Sequence, residues 1–339
     1  MSKKRCLISG AGGFCGSHFI EHFLLNTDWD IIGIDSFSHK GIPERITDSK
    51  HFQAHRERVN IFTHDLNAPF SQVLVDRIGK VDYIINLASM SHVDTSINDP
   101  VPFVKNNVNV ILNMLELARK IKPEKFIQFS TDEVYGPMVD GIPHPEWDKM
   151  LPSNPYSASK AAQEDIAISY WRTYSVPLII TNTMNIIGER QDGEKYLPKI
   201  VRTILDSGTL TVHAKDGVAG SRFYLHARNA ADAVMYILKN VDIKMFPYFN
   251  EPERFNIVSE NELDNLAFAK LVAHIMGVQL KYEFIDVHSV RPGHDPRYGL
   301  DGSKLKDIGY DYPVPFEDSL RSTINWMIEP ENRRFVDAL

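Results

Sequence analysis

Arg5-Cys6-Leu7-Ile8-Ser9-Gly10-Ala11-Gly12-Gly13-Phe14-Cys15-Gly16 is the stretch that decides the fold. Its first five residues read as a short buried strand, the glycines at 10, 13 and 16 as a tight loop, and residues 17 to about 25 as the helix that follows. Without a Cβ the backbone can turn sharply and approach a pyrophosphate, whose charge then meets the positive N-terminus of that helix. Strand, glycine loop and helix in this order predict a dinucleotide-binding loop, with Gly10, Gly13, Phe14, Cys15 and Gly16 along the cofactor. A second apolar strand over 29–34 ends in Asp35, about twenty residues on. An acid at that place accepts from both ribose hydroxyls and repels a 2′-phosphate, so the expected cofactor is NAD rather than NADP. Taken alone, Asp35 also reads as an ordinary turn residue at a strand end.

Outward from this loop, strand-like runs at 59–63, 81–87, 125–130 and 177–183 alternate with helical runs near 102–119 and 156–174. Such alternation predicts an α/β fold with a Rossmann-type doubly wound parallel sheet. Ligands bind at the C-terminal ends of such strands. Asp65 and Leu66, after the third strand, are therefore expected near an adenine, and Leu87, Ala88 and Ser89, after the fourth, along the cofactor; packing is the plain alternative for each. Beyond Asn185 the pattern is less regular and richer in Gly, Pro and Arg. That change predicts an NAD-binding domain over 1–184, completed by a segment near 225–245, and a smaller C-terminal α/β substrate domain over 185–339.

Two further motifs carry chemistry. Tyr156 and Lys160 stand four positions apart and share one face of a helix. A tyrosine with a pKa near ~10 is no base at neutral pH, but an ammonium group held beside it favours the phenolate. The other motif, Ser130-Thr131-Asp132-Glu133-Val134-Tyr135-Gly136, follows the apolar strand 125–129 and so lies at a strand's C-terminal end. Two adjacent carboxylates beside a hydroxyl offer an acid and a base if their surroundings separate their pKa values. An exposed helix face and a solvated acidic turn are the bland alternatives.

Length and composition agree with a globular enzyme in two parts: 339 residues is long for one core, and 43% of them are hydrophobic. A formal net charge of −7 argues against general affinity for nucleic acid or anionic membranes, while leaving room for a local basic pocket. Only Cys6 and Cys15 are available as thiols, so no disulfide framework is expected. The short polar start leads into the first strand with no apolar run long enough for a signal core or a membrane span, and a cytoplasmic location is expected.

With these residues assembled, the chain resembles the extended short-chain dehydrogenase/reductase family, and within it most closely the nucleotide-sugar 4,6-dehydratases such as those acting on dTDP-glucose. Gly10, Gly13, Gly16, Asp35, Tyr156 and Lys160 carry the general part, shared with epimerases, decarboxylases and reductases of sugar nucleotides. The narrower part is Thr131-Asp132-Glu133, Ser91-His92-Val93-Asp94 with Asn107, and Arg291-Pro-Gly-His-Asp-Pro-Arg297-Tyr298.

The resemblance implies oxidation of the sugar at C4, with Tyr156 taking the hydroxyl proton, Lys160 keeping Tyr156 competent and Thr131 hydrogen-bonding the same hydroxyl. The ketone acidifies C5–H, which Glu133 removes, while a protonated Asp132 donates to the departing C6 hydroxyl. Hydride then returns to C6 and NAD is regenerated, leaving a 4-keto-6-deoxy sugar. For the substrate, a nucleoside-diphosphate sugar, the resemblance implies contacts from Ser91, His92, Asn185, Lys195, Leu197, Arg222, Arg291 and Tyr298; His92 alone also reads as a satisfied core histidine. His294 and Asp295 belong to no recognisable ligand set, so no metal is expected. Family members commonly form homodimers through helices like 102–119 and 156–174, and Leu112, Leu115 and Ile166 fit either that contact or the core.

Several positions depart from the dTDP-glucose pattern: Ser221-Arg222-Phe223-Tyr224-Leu225-His226-Ala227-Arg228-Asn229 lacks its two acids, Met90 stands where a Glu is common, and Glu189 replaces a usual Pro. A UDP-, CDP- or GDP-linked sugar therefore stays open beside a dTDP-linked one. A UDP-sugar 4-epimerase or decarboxylase would share the glycine loop and the Tyr156–Lys160 pair but has no use for Asp132 beside Glu133. A non-catalytic NAD-binding or partner-binding module would need none of the four.

Overall fold

Cys6 and Ile8 point to one face of their strand and Leu7 to the other, and all three are fully buried in two different core clusters. An apolar run without alternation requires cover on both faces, which is the situation of a parallel strand between helical layers. The computed structural model, which describes residues 3–286 and 297–337, supplies that cover.

The strands are β1 (Arg5–Ser9), β2 (Asp30–Asp35), β3 (Val59–Thr63), β4 (Tyr83–Asn86), β5 (Lys125–Thr131), β6 (Leu178–Thr183), β7 (Asn185–Ile187), β8 (Leu210–Lys215), β9 (Val218–Ala219), β10 (Ser221–His226), β11 (Glu253–Ile257), β12 (Glu262–Asp264) and β13 (Tyr282–Asp286). Seven of them form one sheet in the order β11-β6-β5-β4-β1-β2-β3, every pair parallel. This is the doubly wound sheet expected from the alternation. The order reverses between β1 and β4, and a crevice opens at such a switch point. The glycine loop and Leu87-Ala88-Ser89 leave the sheet on its two sides.

One face of the sheet is covered by the helices Phe14–Asn26 and Ala227–Asn240, whose Phe19, Phe23, Ala230 and Val234 meet Cys6 and Ile8. The helices Pro100–Ile121 and Pro155–Tyr174 cover the other, where Val110, Met114 and Trp171 meet Leu7. Two small sheets, β12-β10-β7 and β13-β8-β9, pack with the helices Tyr196–Leu205 and Asn265–Ile275 around Leu197, Ile200, Val212, Tyr224 and Phe268.

After residue 185 the chain returns to the large sheet through the helix Ala227–Asn240 and through β11, which pairs with β6 at the edge. The helical return is visible in the sequence; β11 is not, because an irregular stretch holding Pro247 and Pro252 precedes it. The first helix also starts earlier than its apolar pattern, at Phe14 with Gly13 as its cap, so Phe14, Cys15 and Gly16 form its opening turn. No helix of the described residues is long and apolar enough to cross a membrane.

Candidate active site

The glycine loop is shaped by contacts that side chains would block. Gly10 has φ +70°, and its N–H donates to the Ile34 carbonyl at 2.8 Å. A Cβ on Gly16 would lie 2.0 Å from the Gly10 carbonyl oxygen, so only glycine lets the opening turn of the helix lie against the loop. A Cβ on Gly10 would come within 3.0 Å of Ala88 Cα, which ties the loop to the chain leaving β4. Asp35 ends β2 beside them, its carboxylate accepting from the Gly12 N–H at 2.9 Å and the Phe37 N–H at 2.9 Å. These features fit a dinucleotide: a backbone cradle at a helix N-terminus, with an acid at the neighbouring strand end. In that turn the half-buried Cys15 thiol is pushed up to about 12 by burial, so it stays a neutral thiol.

Thr131, Asp132 and Glu133 occupy the end of β5 and the 3-10 turn Asp132–Val134. The Thr131 hydroxyl donates to Asp132 Oδ1 at 2.9 Å, whereas Asp132 Oδ2 is buried and finds no hydrogen-bond partner among the described residues. Burial, and after it the charge of Glu133, pushes the Asp132 carboxyl up to about 7, so much of this acid keeps its proton near neutrality. Glu133 is half-buried, and its Oε2 accepts from Asn154 Nδ2 at 3.2 Å. Asn154 in turn caps the helix Pro155–Tyr174: its Oδ1 accepts the Ser157 N–H at 3.0 Å, and Pro155 takes the first helical position. One side chain thus joins the acidic turn to the helix that carries Tyr156 and Lys160.

Lys160 is buried, and its Nζ donates to the Phe129 carbonyl at 2.8 Å and to Gln163 Oε1 at 2.7 Å. Burial pulls its pKa down to about 8 against the opposing charge of Glu164. The Tyr156 phenol is pushed up, first by burial and then by the charges of Glu133 and Asp132, with the hydrogen bond between it and Thr131 acting against them. The sequence leads one to expect a tyrosine already lowered by the lysine. Here the two carboxylates and burial dominate, and the hydrogen bonds of Lys160 go to β5 and Gln163.

Among the described residues, every one anticipated as catalytic, cofactor-binding or substrate-binding lines one cavity of about 1150 Å³ at the switch point. Gly10, Gly13, Phe14, Cys15, Gly16, Asp35, Asp65, Leu66, Leu87, Ala88 and Ser89 line the side next to the large sheet; Thr131, Asp132, Glu133, Tyr156 and Lys160 lie with them. Ser91, His92, Asn185, Lys195, Leu197, Arg222 and Tyr298 line the same cavity. Lys195 Nζ donates to the Ser91 carbonyl at 3.2 Å, and the Arg222 guanidinium lies 4.8 Å over the Tyr298 ring. His92 is no core histidine: it is half-buried and caps the short helix Val93–Asn98 through Nδ1, 3.4 Å from the Thr95 N–H. Arg291, His294 and Asp295 lie outside the described residues. No group of three or more His, Cys, Asp or Glu among the described residues is arranged to hold a metal ion.

Sequence reasoning missed Asn154 and Gln163. Both had a signal: Asn154 precedes a proline at a helix start, and Gln163 lies three residues past Lys160 on its own face. It also missed Thr211, His213 and Asn265, which line the cavity from the smaller sheets and their neighbouring helix, and whose place depends on how distant segments pair.

The sequence model of one protein family, described as GDP-mannose 4,6 dehydratase, matches residues 7–323. The low-salt glycan biosynthesis protein Agl12 of Haloferax volcanii is 32% identical over 95% of this chain and 98% of its own. A dTDP-glucose 4,6-dehydratase of Neisseria gonorrhoeae is 31% identical over 98% of both chains. Among solved structures, DesIV, a dTDP-glucose 4,6-dehydratase from Streptomyces venezuelae crystallised with NAD bound, superposes with a TM-score of 0.85 at 30% identity, covering 97% of this chain and 98% of its own.

Proposed function

This chain belongs to the GDP-mannose 4,6 dehydratase family, and on that premise we propose that it is an NAD-dependent hydro-lyase converting a nucleoside-diphosphate hexose into its 4-keto-6-deoxy form. The observation that carries this reading is the pair of adjacent carboxyl groups in unlike settings: Asp132 buried, with its pKa pushed up to about 7, and Glu133 half-buried and accepting a hydrogen bond. A 4-epimerase or decarboxylase has no step that needs them both.

Bound NAD supplies a hydride acceptor for C4 and later a hydride donor for C6. The residues that hold it are those of the glycine loop, Asp35, and the chain segments after β3 and β4. Tyr156 takes the proton of the C4 hydroxyl, with Thr131 hydrogen-bonding that oxygen and Lys160 supplying positive charge nearby. Glu133 removes the C5 proton, and Asp132 hands its proton to the leaving C6 hydroxyl, since hydroxide departs poorly without an acid. Tyr156 and Asp132 act in opposite senses: the raised pKa of Asp132 suits a donor, whereas Tyr156 accepts a proton only as the phenolate, which positive charge beside it must favour against burial and the two carboxylates. Asn185, Lys195, Leu197, Arg222 and Tyr298 hold the nucleoside diphosphate, residues 1–184 with the returning helix Ala227–Asn240 and β11 carrying the NAD half and the other segments after 185 the sugar-nucleotide half.

The test is incubation of the protein and NAD with dTDP-, UDP-, CDP- and GDP-hexoses, followed by mass spectrometry. Loss of one water from one of them is the expected outcome and names the nucleobase. An isomer of unchanged mass, or loss of carbon dioxide, would replace dehydration by epimerisation or decarboxylation.

A further inference from the structure

Beneath the cavity a chain of buried polar side chains crosses the sheet. Ser9 Oγ accepts from the N–H groups of Leu87 and Ala88, each at 3.1 Å, and donates to Asn86 Oδ1 at 2.7 Å. Asn86 Nδ2 donates to Gln128 Oε1 at 2.8 Å, and Gln128 Nε2 to Gln163 Oε1 at 3.1 Å. Gln163 Oε1 also accepts from Lys160 Nζ at 2.7 Å, while its Nε2 donates to the Asn107 carbonyl at 2.8 Å. All these side chains are buried. The last bond fixes which end of the Gln163 amide meets the lysine, because only the nitrogen can donate to a carbonyl. Gln163 is thus the one side chain among the described residues that accepts a hydrogen bond from Lys160, the other acceptor being backbone. The same chain of bonds reaches the Leu87–Ala88 backbone that lines the cavity.

We propose that Gln163 is a positioning residue: its side-chain carbonyl holds the Lys160 ammonium where Tyr156 needs positive charge, and so sets the alkaline limit of the oxidation step. The second half of this rests on the roles proposed above for Tyr156 and Lys160. A hydrogen bond to the charged form favours that form, so the Gln163 carbonyl works against the burial that draws Lys160 down to about 8. The charge that acts on Lys160 is that of Glu164 on its own helix, whereas Glu133 and Asp132 on the turn after β5, and Cys15, act on Tyr156. Asn86, Gln128 and Asn107, which join the network from β4, β5 and the helix Pro100–Ile121, are uncharged. Glu164 and Gln163 are therefore the two side chains that keep the ammonium charged: Glu164 through its field, Gln163 through contact.

Lysine labelled with carbon-13 at Cε reports its own charge by NMR, and the Lys160 signal is the one missing from Lys160→Arg. In the full chain, Gln163→Leu should lower the Lys160 titration midpoint by about one pH unit, and Gln163→Glu should raise it by about as much. The alkaline limb of the first-turnover oxidation rate should move the same two ways. A midpoint unmoved in Gln163→Glu, which keeps the size of the side chain, would overturn the proposal, and that variant suffices if Gln163→Leu does not fold. Two variants that are merely slower, with the limb in place, would also overturn it. Full turnover in Tyr156→Phe, with the midpoints shifted as expected, would remove the Tyr156–Lys160 assignment instead and leave only the hold of Gln163 on Lys160.

Discussion

Asp132 and Glu133 are neighbours in sequence but not in environment, and two predictions follow from that difference. With Glu133→Gln the C5 proton has no base, so product formation should fall by roughly 10²–10⁴-fold, while C4 oxidation persists and appears as NADH absorbance on the protein. Full turnover would take Glu133 out of the reaction. The second concerns pH. The Asp132 carboxyl rises from 3.8 to about 7 on folding. Between those values the folded chain holds a proton that the unfolded chain has released, so its contribution to stability is full below 3.8 and is lost as pH climbs to 7. Asp132→Asn removes that loss: it should abolish elimination yet stabilise the protein at pH 8 by up to about 4 kcal/mol, with little gain near pH 4. Thermal unfolding at the two pH values decides it, an equal change in Tm at both ruling out a buried neutral acid.

At the scale of elements, the helix Pro155–Tyr174 begins where the acidic turn needs support. Asn154 serves both: it caps the helix through Oδ1 and holds Glu133 through Nδ2. Asn154→Ala should cost about 1 kcal/mol in stability and slow elimination as well. Asn154→Ser keeps a capping oxygen but is too short to reach Glu133, so it should restore the Tm and leave elimination slow. Recovery of both together would mean that the hydrogen bond to Glu133 is idle. The glycine loop shows the same economy of position. A Cβ at Gly16 collides with the Gly10 carbonyl, and this one contact sets how closely the helix N-terminus approaches the cavity.

At the scale of the molecule, the helices Pro100–Ile121 and Pro155–Tyr174 cover one face of the sheet and keep an outer side. Leu115 is fully buried in the core, whereas Leu112 and Ile166 stay half-buried in the single chain. If two copies pair through these helices, Leu112→Glu should lower the sedimentation coefficient to that of a monomer with the fold intact, and an unchanged coefficient would count against this interface. Local chemistry made much of the protein legible in advance. A strand, a glycine loop and a helix are contiguous in the chain, so steric and hydrogen-bonding rules over a dozen residues suffice to read Gly10, Gly16 and Asp35, and helix periodicity suffices to pair Tyr156 with Lys160. The rest depends on segments that meet only after folding. β11 reaches β6 from over seventy residues away, Asn154 finds Glu133 across a loop, and Gln163 is held by β5 and Asn107. Above all, sequence gave Tyr156 a lysine neighbour, while burial and two carboxylates set its actual field. Desolvation and through-space charge depend on the whole surrounding volume, which only the tertiary structure decides.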